Sequence, residues 1–205
     1  MSHSRGSNTK TYWESKHTQQ YEVLKEYDYS KLDDIHYMRV TNQIINENAE
    51  VLSRRSLLDV GCAVGAALNL FHQTTPSLDY FGYDFSSTAI QAATKKLPHI
   101  QFECRDILEN PIEKDFGIIT FLETIEHIEE GTNYKMLDNI LDHCEYAIVT
   151  TVDTEDDCFG EHISHYKIDT FDEKGYNVLW KAKLTPIQMP DGIYNYIGFL
   201  IKGNL

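Results

Sequence analysis

The chain has 205 residues, of which 32 are Asp or Glu and 18 are Lys or Arg, giving a formal net charge of −14. That length suits one domain with a sizeable core, and the acidic balance disfavours nucleic acid as a partner, because binding a polyanion draws on clustered Lys and Arg. No apolar run approaches the roughly 20 residues that span a bilayer, and the polar opening MSHSRGSNTK lacks the apolar centre of a signal peptide, so a soluble, cytoplasmic protein without a membrane partner is expected.

Residues 1 to about 34 are polar, rich in Tyr, Lys, Ser and Asp, and hold no sustained period; they read as a tail leading into a cap segment, 1–34, ahead of a domain spanning 35–205. From Ile35 through Met38, Ile45, Ala49 and Leu52, apolar residues recur near multiples of 3.6, which predicts a helix before the first strand. SLLDVGCAVGAALN, residues 56–69, follows. Leu57, Leu58 and Val60 suit a short strand covered on both faces, and Ala66, Ala67, Leu70 and Phe71 suit a helix packing back on it. Gly61 and Gly65 lie in the turn between, where a backbone bends sharply or lets a ligand approach.

LDYFGYDF predicts a second strand ending near Asp84, and in SSTAIQAATKKL either Ser86 or Ser87 can cap a helix with Ala89, Ile90, Ala93 and Leu97 on one face. IQFECRDI is a third strand ending at Asp106. DFGIITFLE is a fourth, its run Ile118 to Leu122 suiting a central position, and TNYKMLDNILDHC a helix with Tyr134, Leu137, Ile140, Leu141 and Cys144 on one side. YAIVTTV is the fifth strand. The last fifty residues change character: FGEHISHY leads to YNVLWKAKL and YNYIGFLIKGN, two β-like runs joined through PIQMPDG, an antiparallel hairpin with a long connection. Alternating β and α segments imply an α/β fold with a doubly wound, mostly parallel sheet, and the C-terminal antiparallel hairpin brings the strands to seven. Cys62, Cys104, Cys144 and Cys158 form no CxxC pair and are expected to be reduced, mostly buried thiols. Basic residues are scattered, the densest groups being Arg54 with Arg55 and Lys95 with Lys96.

The loop Asp59, Gly61, Ala63, Gly65 resembles the D-x-G-x-G-x-G motif of class I S-adenosylmethionine-dependent methyltransferases, with alanine at the middle glycine. Asp84 and Asp106 fall at the next two strand ends, where that family also places acids, and the likeness extends over roughly residues 45 to 205. The resemblance implies the Rossmann-like methyltransferase fold, with 35–205 as the methyltransferase domain and S-adenosyl-L-methionine as cofactor. Its implied cofactor-binding set is Asp59, Gly61, Cys62, Gly65, Asp84, Phe85, Asp106, Ile107 and Leu122. In it Asp84 accepts both ribose hydroxyls, Phe85 flanks the adenine, and Asp106 with Ile107 receives its amino group and ring edge. The chemistry agrees: a dinucleotide site needs glycine where Ala63 stands, so that the backbone can meet a pyrophosphate, whereas Asp59, expected in the loop, suits a cationic ligand. YWESKH, Tyr12 to His17, is similar to segments that fold over the cofactor. There Trp13, with Tyr12, would exclude water and present an aromatic face to the sulfonium, the alternative being a cap packed on the core.

After the fourth strand, Glu123-x-x-Glu126-His127 puts two carboxylates three apart, sharing a face if the segment is helical. The resemblance offers two roles: lining a methyl-acceptor pocket, or joining a divalent-metal set such as that of small-RNA 2′-O-methyltransferases and ubiquinone-pathway O-methyltransferases. The non-metal pocket is the reading adopted, with no metal expected. His162 and His165 follow the fifth strand and can act as a base; His162 with Tyr166 matches a short H-x-x-x-Y/F pattern of the family. The expected catalytic residues are therefore His127, His162 and Glu126. The implied function is methyl transfer to a small molecule or sugar, at oxygen first and nitrogen next. The alternatives are a metal-assisted RNA 2′-O-methyltransferase, a non-catalytic cofactor-binding regulatory protein and, disfavoured by Ala63 and Asp59, an NAD-dependent oxidoreductase.

Overall fold

The computed structural model describes residues 9–24, 36–49, 53, 56–154, 162–183, 187–189 and 192–205, excepting the side chains of 20–24, 36–40, 187–189 and 192–194. Ile35, Leu52, Arg54, Arg55 and Cys158 lie outside the described residues, as does the side chain of Met38.

Five strands form the parallel part of the sheet: β1 (Ser56–Val60), β2 (Asp79–Asp84), β3 (Gln101–Cys104), β4 (Phe116–Leu122) and β5 (Cys144–Val152). They pair side by side in the order β3-β2-β1-β4-β5. Next come β6 (Val178–Lys183), a small separate hairpin of β7 (Ile187–Met189) and β8 (Gly192–Tyr194), and β9 (Tyr196–Lys202). β9 inserts antiparallel between β5 and β6, completing seven strands, with β6 at the edge. The expected hairpin is present, and its long connection carries the β7–β8 pair.

Alternation along each strand divides the core into two layers, as the period-two geometry of a strand requires. Leu57, Ile118 and Ile148 share one cluster with Ile44 and Ile45 of α2 (His36–Glu47), Leu68 and Phe71 of α3 (Ala66–Thr74) and Ile90 of α4 (Ser87–Lys96). Leu58, Ile119 and Val149 share the other with Leu137, Ile140 and Leu141 of α5 (Thr132–Asp142) and Phe171 of α6 (Thr170–Glu173). Helices on both faces explain why β4, in the middle, is apolar almost throughout. The Ser86 hydroxyl caps α4, accepting from the Ala89 N–H at 3.2 Å.

Several expectations are corrected. The polar stretch before α2 contains a helix, α1 (Lys10–Leu24). α2 ends at Glu47, leaving Ala49 exposed beyond the apolar face. Cys144 opens β5 instead of closing α5, and β3 stops at Cys104, so Asp106 stands two residues past it. No helix joins β3 to β4; residues 107–115, all described, form turns and loop. No helix among the described residues is long and apolar enough to cross a membrane. Strand order reverses between β1 and β4, and open α/β sheets place ligands in the crevice outside the carboxyl ends of such strands.

Candidate functional site

The loop after β1 is held in shape by its neighbour strand. The N–H groups of Gly61 and Cys62 both donate to the Tyr83 carbonyl, at 2.8 and 3.1 Å. Gly61, Ala63 and Gly65 all adopt positive φ, at 78°, 46° and 79°. The two glycines are required for different reasons. A Cβ at Gly61 would meet Thr124 Oγ1 at 2.5 Å, so it is the chain leaving β4 that demands the bare backbone. A Cβ at Gly65 would meet Phe102 Cζ at 2.8 Å, which is close packing against β3. The only other non-glycine residue at positive φ among the described residues is Glu123, at 47°, directly after β4. Ala63 and Glu123 thus hold the two costly backbone conformations at the ends of the adjoining strands β1 and β4, and such strain gathers at functional sites.

Asp84 organises this loop. Its Oδ2 accepts from the Ala63 N–H at 2.9 Å and its Oδ1 from the Ser86 N–H at 2.8 Å, so one buried carboxylate joins the β1–α3 loop to the start of α4. Each oxygen keeps a lone pair for a further donor. Burial raises the Asp84 pKa, against the lowering effect of those N–H groups. Asp59, expected in the loop, lies instead inside β1, opposite Gly82 and Thr120. The Thr120 hydroxyl donates to its Oδ1 at 2.7 Å. Burial pushes Asp59 up to about 7, the nearby Asp84 charge adding to the rise and the Thr120 hydrogen bond opposing it.

The remaining implied cofactor residues lie at or just past the carboxyl ends of these strands. Leu122 ends β4 and is buried, and Ile107 is buried past β3. Phe85 is half-buried, its carbonyl facing the Cys104 thiol at 3.4 Å. The Cys62 side chain packs inward on Gly82, a Cβ there meeting its Sγ at 2.8 Å, so only its backbone borders the loop. Asp106 is engaged: Oδ1 accepts from the Leu108 N–H at 2.9 Å and Oδ2 pairs with Lys10.

That lysine belongs to α1, whose residues Lys10, Trp13, Glu14 and His17 are spaced i, i+3, i+4 and i+7, one face of a helix. Lys10 also pairs with Glu109 at 2.7 Å. Glu14 accepts from the Ser86 hydroxyl and the Ser87 N–H, both at 2.8 Å, capping α4 from outside. The Trp13 ring stands edge-on to His127 with centroids 4.6 Å apart, and Lys16 Nζ lies 4.5 Å from the Trp13 centroid, so the chain's own cation occupies a position over that ring. His17 is buried at the end of the face. This helix has no apolar period because the face it docks is polar and aromatic, matched to groups beyond the strand ends. The K-x-x-W-E-x-x-H spacing is the signal that reveals it.

Beyond β4 lies a second set. Residues Ile125–His127 form a 3-10 turn, and Glu123 precedes it in the left-handed region, so Glu123 and Glu126 do not share a helical face. The segment around His162 is stitched to this turn: the Ile163 and Ser164 N–H groups donate to the Glu126 carbonyl at 2.9 and 3.0 Å, and the Ser164 hydroxyl to the Ile128 carbonyl. Tyr166 is a buried anchor, its hydroxyl donating to the Ile125 carbonyl at 3.3 Å and accepting from the Asn133 amide. His127 and His162 rings are consequently 4.8 Å apart, edge to face. Glu126, His127 and His162 each present an atom such that the three lie within 4.8 Å of one another, with Glu126 buried. His165 is exposed. The three expected catalytic residues therefore do come together, and His162 takes the place beside Glu126 and His127 that spacing alone had offered to Glu123.

Residues 57–146 match the family model described as "Methyltransferase domain". The putative methyltransferase 235L of Invertebrate iridescent virus 6 is 26% identical over 91 residues, covering 44% of this chain and 34% of that protein. The match thus spans about a third of that curated relative's length. Among solved structures, the N-methyltransferase NodS of Bradyrhizobium japonicum WM9, in complex with S-adenosyl-L-homocysteine, superposes with a TM-score of 0.67 at 17% identity, covering 92% of this chain and 99% of that one. The magnesium protoporphyrin IX methyltransferase ChlM of Synechocystis PCC 6803, also with bound S-adenosyl-L-homocysteine, gives 0.68 at 14% identity, covering 94% and 97%.

Proposed function

We propose that this chain, which carries a methyltransferase domain on the class I S-adenosylmethionine-dependent fold, transfers a methyl group to an oxygen of a small hydroxyl-bearing acceptor such as a sugar. The observation that carries the reading is the convergence of Glu126, His127 and His162 just past the end of β4, where Thr124 packs on Gly61 of the loop after β1. The crevice residues fit the cofactor: Asp59 and Asp84 are both buried acids whose ionised forms are disfavoured by burial, and a cationic ligand offsets that cost. Asp84 retains acceptor capacity for a vicinal diol, and Asp59 supplies negative charge within the sheet. Phe85, Asp106, Ile107 and Leu122 would border the adenosyl side, and the backbone at Gly61 and Cys62 would border the amino-acid side. S-adenosylmethionine supplies an electrophilic methyl on a sulfonium, so this chain's main task is to orient the acceptor and keep water out. Glu126 holds one proton-accepting group in the dry interior, and His127 or His162 takes the acceptor's hydroxyl proton.

A second reading is favoured by the same cluster. One carboxylate and two imidazoles form a donor set suited to Mn²⁺, Fe²⁺ or Zn²⁺, and a bound cation there would lower the pKa of the acceptor hydroxyl. Calorimetry with S-adenosyl-L-homocysteine, followed by transfer of a labelled methyl to hydroxylated and amine acceptors with and without chelator, separates the readings. Binding, with transfer to hydroxyls that survives chelator, is the expected result. Loss with chelator and recovery with Mn²⁺ would establish the metal reading, and absence of cofactor binding would remove both. Glu126→Gln and His162→Asn should lower transfer while leaving cofactor affinity in place.

A further inference from the structure

His17 is a residue that neither the loop motif nor the acceptor cluster uses. Its side chain is buried, with 6% of its surface exposed, and among the described residues Nδ1 has no hydrogen-bond partner. A buried polar nitrogen in that state is uncommon and calls for a reason. Asp84 acts on it electrostatically from the end of β2, and Glu14 and Lys16 from its own helix, while the Trp13 ring lies 6.0 Å away. The other members of its helical face each close on a strand end or on the start of α4: Lys10 on Asp106, Trp13 on His127, Glu14 on Ser86 and Ser87. Burial favours the neutral imidazole, one nitrogen of which donates while the other accepts.

We propose that His17 is a cofactor-binding residue, its Nδ1 pairing with a ribose hydroxyl of the adenosyl group beside Asp84, so that α1 is fastened over the nucleoside. This rests on the S-adenosylmethionine reading above. A vicinal diol suits the pair of partners: each Asp84 oxygen is already satisfied in part by a backbone N–H and can take one hydroxyl hydrogen, and the hydroxyl oxygens retain capacity for a ring nitrogen. An aliphatic side chain at 17 would fill the same space yet lose the bond.

The test uses the full chain and two ligands, S-adenosyl-L-homocysteine and 5′-methylthioadenosine; the second keeps ribose and adenine but lacks the amino acid. His17→Leu is expected to weaken both by about tenfold, the worth of one such bond, while the ligand-free protein melts no lower than the parent. His17→Asn, whose amide reaches about where Nδ1 lies, is expected to bind both within about threefold of the parent. Parent-like affinity of the Leu variant overturns the proposal. So does a loss confined to S-adenosyl-L-homocysteine, which would move the contact to the amino-acid end, and so does an Asn variant as weak as Leu. If the parent binds neither ligand, the function reading falls first and His17 with it; if only the His17 variants contradict expectation, the function reading stands.

Discussion

Asp59→Asn tests whether a buried acid is held in β1 at a cost to stability. The carboxyl is pushed up from 3.8 to about 7 by burial, with the Asp84 charge adding to the rise. The folded state therefore holds the proton more tightly than the unfolded chain, and stability is lost as pH rises from about 4 through about 7, where the folded group must ionise. Fully ionised, the penalty is on the order of 4 kcal/mol; between about pH 5.5 and 8.5 it grows by about 2 kcal/mol. Asparagine keeps an acceptor for the Thr120 hydroxyl, which donates at 2.7 Å, and does not titrate in this range. Its amide hydrogens add a desolvation cost of about 1–3 kcal/mol that does not vary with pH. The readout is therefore the change in the stability difference with pH, measured from urea midpoints of variant and parent without ligand. The variant should gain about 2 kcal/mol on the parent from about pH 5.5 to 8.5. A difference that stays level over that range would refute the assignment of a raised carboxyl to Asp59. If the cofactor cation offsets the ionised form, S-adenosylmethionine binding at about pH 7 should also release a proton, seen as a binding heat that varies with buffer ionisation enthalpy in the parent and not in the variant.

Gly61→Ala should cost about 1–2 kcal/mol for the left-handed backbone and about 1–3 kcal/mol more for the collision with Thr124. In a Thr124→Ala background only the second part should be recovered, as a double-mutant cycle by urea denaturation would show. Ser86→Ala removes the acceptor of the Ala89 N–H and the donor to Glu14, and should lower stability by about 1 kcal/mol in thermal melts. Tyr166→Phe deprives the Asn133 amide and the Ile125 carbonyl of their partner, costing about 1–3 kcal/mol. Because that hydroxyl anchors the segment bearing His162, methyl transfer should fall further than cofactor affinity. Lys10→Ala breaks the pairs of a largely exposed lysine with Asp106 and Glu109 and should change the melting free energy by less than about 1 kcal/mol, an effect that shrinks in high salt.

The order of strands and helices was readable because each buried element repeats its apolar residues at its own period. Leu57, Leu58 and Val60 mark β1, the run Ile118 to Leu122 marks β4, and Ala89, Ile90 and Ala93 mark the inner face of α4. The sequence also placed Asp84 at a strand end and joined His127 with Glu126. Its errors have a common origin. α1 shows no apolar period because the face it docks is Lys10, Trp13, Glu14 and His17, of which His17 alone is fully buried. The sequence puts Asp59 in the loop because it stands two positions before Gly61, yet β1 runs on to Val60 and carries the carboxylate into the sheet. Glu123 was paired with Glu126 by helical spacing, but a left-handed φ of 47° breaks the helix between them.

The sequence by itself determined the α/β alternation, the glycine-bearing turn and the acids near successive strand ends, because these depend on residues adjacent in the chain. Only the tertiary structure decided what each glycine must clear, since that depends on Thr124, just past the end of β4, and on Phe102 of β3. It likewise decided that His162 joins Glu126 and His127, through backbone hydrogen bonds between segments some 36 residues apart, and that α1 lies across the strand ends. Contacts of that kind follow from the closure of the sheet and its loops, and no local spacing encodes them.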